Sequence, residues 1–147
     1  MTLKEITLLS IEEYKQFQSI VSLVECWRWW LRSPGRNQNN AACAYGGGVV
    51  CGYSDYVHKD NGCVRPALKL NLEISDTLFW YKPEKLIGTK IEYGNYRWTV
   101  LDTSLGELYV LCDSIIARRR FDPESNNWAT SELKQWLETE GLKLITI

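Results

Sequence analysis

Histidine, methionine and phenylalanine are scarce in this chain. Its 147 residues include 1 His, 1 Met and 3 Phe. A single imidazole excludes multi-histidine metal sites and most designs in which histidine is the general base. Long apolar runs are missing as well. No purely apolar run exceeds five residues, against the ~20 that a membrane-spanning helix requires. Neither sign of charge dominates: 17 Lys and Arg face 18 Asp and Glu, for a net charge of −1. No basic field is available to hold a nucleic-acid backbone. No apolar stretch of the signal-peptide kind follows Lys4. These absences predict a cytoplasmic chain that engages neither nucleic acid nor membrane. Motifs of common chemistries are absent too. Gly46-Gly47-Gly48 lacks the Lys-Ser/Thr and helix of a phosphate-binding loop, and there is no Gly-x-Ser-x-Gly elbow or zincin motif.

Large amphipathic rings take the place of the missing phenylalanine: 7 Trp and 8 Tyr. A core built from them needs hydrogen-bond partners for buried N–H and O–H groups. The five cysteines are Cys26, Cys43, Cys51, Cys63 and Cys112. An odd count and a cytoplasmic setting predict reduced, buried thiols. Cys43, Cys51, Cys63 and His58 offer four zinc ligands on paper, but there is no Cys-x-x-Cys pair and the spacing is loose. No metal and no cofactor is expected.

Local patterns predict an α+β chain with two helices, several short antiparallel strands and long loops. Ser10-Ile-Glu-Glu13 is a capping box opening a helix over residues 10–24, with Ile11, Tyr14, Phe17, Val21 and Val24 near one face. A short strand precedes it at Ile6–Leu9. Bulky strand formers run from Trp27 to the Pro34-Gly35 turn. Short strands follow at 41–45, 49–52 and 56–58, then at 63–72, where Pro66 marks an edge or bulge. Residues 73–86 read as an ordered connector. A β meander spans 87–121, with Gly94-Asn95 as a two-residue hairpin loop. Arg118-Arg119-Arg120, the only basic cluster, reads as a solvated loop. A second helix spans 127–140, opened by Asn127 and stopped by Gly141, with a last strand at 142–147.

Three segments carry a resemblance in combination: Leu8-Leu9-Ser10-Ile-Glu-Glu-Tyr14, Trp29-Trp30-Leu31-Arg32-Ser33-Pro34-Gly35 and Val64-Arg65-Pro66-Ala67-Leu68. They resemble a bacterial and phage family of uncharacterised domains. A second block, Ile91–Asp102 with Ile115-Ile116 and Asn127–Leu137, is similar to another part of the same family, where the two blocks occur in the opposite order. The resemblance implies a C-type-lectin-like fold, close to the formylglycine-generating-enzyme branch. The reversed order implies one circularly permuted domain over residues 1–147: block 1–72, connector 73–86, block 87–147. The alternative is a fusion of two half-domains, and about seventy residues alone bury little core.

Residues 36–63 are the candidate ligand-binding surface. Asn37, Asn39, Asn40, Tyr45, Tyr53, Ser54, Asp55, Tyr56, His58, Asp60 and Asn61 are set there among glycines. Antibody loops use this mixture of rigid rings and adaptable polar groups. The resemblance makes the stretch comparable to the family's variable region, a poor host for fixed chemistry. The expected function is therefore a non-catalytic binding module for a protein or a glycan. The alternative is a phage-encoded intracellular protein that binds and inhibits a host factor. An enzyme pairing Cys51 or Cys63 with His58, or Asp55 with Asp60, is the weakest reading. Arg32 and Arg65, set in apolar strands, are read as structural ties.

Overall fold

The computed structural model describes residues 1–47, 54–73, 83–104 and 106–146. The expected strand at 49–52, most of the connector and Tyr53 lie outside them. The described chain is α+β, with two five-stranded sheets and helices near each end. In order, the elements are β1 (Thr2–Thr7), α1 (Ile11–Phe17), β2 (Arg28–Pro34), β3 (Asn40–Tyr45), β4 (Asp55–Tyr56), β5 (Cys63–Val64) and β6 (Ala67–Asn71). A 3₁₀ turn (Pro83–Leu86) leads to β7 (Lys90–Tyr93), β8 (Tyr96–Ser104), β9 (Glu107–Cys112) and β10 (Ala117–Arg118). The end is helical: a 3₁₀ turn (Trp128–Thr130), α2 (Glu132–Trp136), a π turn (Leu137–Gly141) and α3 (Leu142–Thr146).

One sheet has the order β1-β6-β9-β8-β7 and the other β10-β5-β2-β3-β4. Both take strands from the first seventy residues and from the last sixty. β6 pairs with β1 on one side and with β9 on the other, both antiparallel. The predicted hairpin is present: Tyr93 pairs with Tyr96 around Gly94-Asn95, and Gly94 has φ +59°.

Strands β2 and β3 are buried on both faces, which explains their unbroken apolar runs. Alternation sends Trp30, Ala41 and Cys43 into one core cluster and Trp29, Leu31, Ala42 and Ala44 into the other. Small residues on β3 make room for the tryptophans of β2. Each fully buried tryptophan removes roughly 200 Å² from water, worth at most about 5 kcal/mol. Their polar edges are satisfied: Trp30 Nε1 donates to the Arg119 carbonyl at 2.8 Å and Trp98 Nε1 to the Tyr93 carbonyl at 3.0 Å.

Arg32 in β2 and Arg65 in the break between β5 and β6 are ties. Arg65 is 1% exposed. It donates to the Cys112 carbonyl at 2.7 Å and to the Ser22 carbonyl and hydroxyl at 2.9 and 2.7 Å, and lies 5.0 Å over the Trp29 ring. Burial lowers its pKa to about 10, so it stays charged at neutral pH. Arg32 binds the Leu8 carbonyl at 2.6 Å and pairs with Glu13. Glu13 closes the capping box by accepting the Ser10 N–H at 2.9 Å, and also accepts the Tyr109 hydroxyl at 3.1 Å. One carboxylate thus joins α1, β2 and β9. Arg120 is the solvated loop residue expected, and it also makes two bonds to Glu132, at 2.9 and 2.8 Å.

Three expectations are corrected. Helix α1 ends at Phe17, not near residue 24. The chain must leave the helix so that Ser22 reaches Arg65 and the Val24 N–H reaches the Gly46 carbonyl. Residues 142–146 are helical rather than a strand, because the π turn carries the helix through Gly141. Its end is capped from a distance: Asn95 N–H donates to the Ile145 carbonyl at 2.8 Å, and Asn95 Nδ2 to the Leu144 carbonyl at 3.0 Å. Finally, Cys26 and Cys63 form a disulfide, so the all-reduced expectation fails. Cys43 is disulfide-bonded too. Cys112 is a free, buried thiol, pushed up to about 11 by burial.

Two predictions follow from this packing. Burial raises the Glu13 pKa, but the Arg32, Ser10 and Tyr109 contacts outweigh it, leaving the pKa below its ordinary value. A lowered folded pKa means stability that is present above the unfolded value, about 4.3, and lost as pH falls through the folded value. Glu13→Gln should cost about 1–3 kcal/mol in urea unfolding at pH 7, with the gap to wild type closing below about pH 4. Gly94→Ala should cost at least about 2 kcal/mol in the same assay. Gly94→Asn should not rescue it, because any Cβ there collides with the Ile145 carbonyl oxygen.

Candidate functional site

A cleft of about 550 Å³ opens where β2 begins. Trp27 and Arg28 come from the entry to β2, Tyr45 from the end of β3, and Ser54 and Asp55 from the approach to β4. Lys59, Asp60 and Asn61 come from the turn leading into β5. Strand β5 meets β2 through one registered pair, Trp29 with Cys63. The Cys26–Cys63 disulfide reinforces that contact, with its Cα atoms 6.8 Å apart. It therefore joins the wall carrying Trp27 and Arg28 to the wall carrying Asn61.

Arg28 is the floor of the cleft. Its Nη2 donates to Asn61 Oδ1 at 2.7 Å. Its Nε lies 2.6 Å from Asp55 Oδ2, a close ion pair in which the N–H is not aimed at the oxygen. Lys59 Nζ reaches the other Asp55 oxygen at 3.2 Å. Both cations thus converge on one carboxylate. Trp27, 76% exposed, stands at the rim with the Arg28 guanidinium 5.8 Å from its ring centroid. A large ring held in water beside ordered polar groups is a ready platform for a ligand.

Of the residues singled out from sequence, Tyr45, Ser54, Asp55, Asp60 and Asn61 line the cleft. The others do not. Asn40 is buried and donates to the Ser54 carbonyl at 3.3 Å. Asn37 and Asn39 are exposed side chains on a separate loop, where their carbonyls accept from Asn40 and Val57; Asn126 Nδ2 also donates to the Asn37 carbonyl. The rings of Tyr56 and His58 meet at a tilt, centroids 5.6 Å apart, outside the cleft lining. Tyr53 is outside the described residues. Ser54, although it lines the cleft, accepts the Arg36 N–H at 2.8 Å and so also braces the loop.

Sequence reasoning missed Trp27, Arg28 and Lys59. The available signal was local: four consecutive large residues, Trp27 to Trp30, cannot all enter a strand core. Cys63, bound to Cys26, offers His58 no thiol and zinc no ligand. Two smaller clefts, about 240 Å³ each, flank Glu13 and Lys69. Their main charges are committed in pairs, Lys4 with Glu107, Lys69 with Glu5 and Arg32 with Glu13.

A family model described as a domain of unknown function (DUF6273) matches residues 4–72. The match is consistent with a family of uncharacterised domains. It runs from within β1 to just past β6 and includes every residue named as lining the cleft beside Trp27. No curated protein and no solved structure matches the chain. No described helix is long and apolar enough to cross a membrane.

Replacing both Cys26 and Cys63 by Ser should lower stability by about 2–4 kcal/mol, since the bridge closes a long loop. Alkylation without reductant checks the pairing by mass. The folded chain should resist labelling at Cys112; the unfolded chain should label there and still spare Cys26 and Cys63.

Proposed function

We propose that the chain is a non-catalytic binding module and that its ligand is a glycan. The observation that carries this reading is the exposed Trp27 ring at the rim of a concave cleft that also presents polar side chains. Inhibition of a host protein would call for a larger and flatter patch, since stable protein interfaces bury about 800 Å² per partner. A cleft of about 550 Å³ suits one or two sugar rings instead. The Cys26–Cys63 bridge supports action in an oxidising compartment rather than the cytoplasm. The C-type-lectin-like kinship and the circular permutation belong to the same proposal. Sheets that draw strands from both blocks support one permuted domain over two joined halves.

Screening on a glycan array tests this reading. Binding should be weak, with Kd in the range of about 0.1–1 mM for a single site. Trp27→Ala should weaken it at least about tenfold without unfolding the chain. Asn37→Ala should leave it unchanged. A captured glycan that Trp27→Ala still binds equally well would move the site off this cleft.

A further inference from the structure

Resting on the glycan reading, we propose that the ligand of this cleft is an uncharged pyranose and that Asp60 is its specificity-determining residue. The argument is one of charge and free hydrogen-bonding capacity. Four charged side chains line the cleft: Arg28, Lys59, Asp55 and Asp60. Their formal charges cancel. Both cations already converge on Asp55, at 2.6 and 3.2 Å. An anionic sugar would have to pull one of them away, leaving the Asp55 carboxylate short of a partner. The next cation whose field reaches Asp60 is Arg120, and it is held by Glu132.

Asp60 stands apart from this network. Its carboxylate has no hydrogen bond or ion pair among the described residues, and it is exposed. It repels an acidic sugar and accepts hydrogen bonds from the hydroxyls of a neutral one. Beside it, Asn61 gives its carbonyl oxygen to Arg28 and keeps its amide N–H groups for a ligand. An acceptor and a donor on adjacent residues suit neighbouring ring hydroxyls, each of which both donates and accepts. Bonds to the ionised carboxylate are the stronger of the two kinds. Trp27 receives the apolar C–H face of the ring. A pyranose has both features, a C–H face and a polar edge of vicinal hydroxyls.

The test is titration of the ¹⁵N-labelled chain with methyl glycosides. The neutral set is glucose, galactose, mannose and N-acetylglucosamine; the charged set is glucuronate, galacturonate, sialic acid and glucosamine. At least one neutral glycoside should shift the Trp27 indole N–H, with affinity unchanged between 50 and 500 mM NaCl. Asp60→Asn should weaken that binding about tenfold while the remaining resonances stay in place. Three results would overturn the proposal: tighter binding of a charged sugar at Trp27, a steep loss of affinity with salt, or an indifferent Asp60→Asn variant. If no glycoside of either set moves the indole, the glycan reading itself falls, an outcome distinct from binding of the wrong class.

Discussion

Strand β2 has no face turned to water from Trp29 to Leu31, and the rest of the fold answers to that constraint. Trp29 and Leu31 enter one core cluster and Trp30 the other. Both sides must therefore be covered. Helix α1 covers one, through Tyr14, whose ring meets Trp29 edge-on at 5.5 Å. Phe121 covers the other, 5.8 Å from Trp30. β3 answers with alanines, because larger side chains would not fit beside two tryptophans. Arg65 fills the last gap over Trp29 with a cation, and the backbone around it is arranged to receive its donors.

The cleft arises where this double burial stops. At Arg28 the strand still belongs to the sheet, but its side chain leaves the core and needs counter-charges. Asp55 supplies the charge and Asn61 a neutral hydrogen-bond acceptor, from the two segments that pack alongside. One residue earlier, Trp27 finds no core to enter and stays in water. The polar floor and the aromatic rim are thus two consequences of one strand end. The disulfide ties the far wall to this strand end.

Features set by neighbouring residues were readable from the sequence. The Ser10–Glu13 box and the Gly94-Asn95 hairpin need only a few adjacent side chains to declare themselves, and both are present. Features set by distant residues were not. Nothing near Phe17 announces that Ser22 is owed to Arg65. Nothing near Gly141 announces that Asn95 will cap the helix end. The Cys26–Cys63 pairing could not be read either, since an odd count allows many connectivities. Of the cleft lining, composition picked out Tyr45, Ser54, Asp55, Asp60 and Asn61, because polar residues between glycines stand out. It also drew in Asn40, whose polar group is used inside the fold. It missed Trp27, which looked like one more strand former beside Trp29 and Trp30.

Strand β6 is flanked on one side by β1, already synthesised when it emerges, and on the other by β9, which is not. Ala67 finds its partner at Leu111. During synthesis, then, β6 leaves the ribosome with one ladder of amides and carbonyls open, and Leu68 and Leu70 without their cover. Such long-range closure is slow, and an open edge is a template for a second nascent chain. The interval before β9 arrives is thus the one in which another copy finds an open edge to pair with.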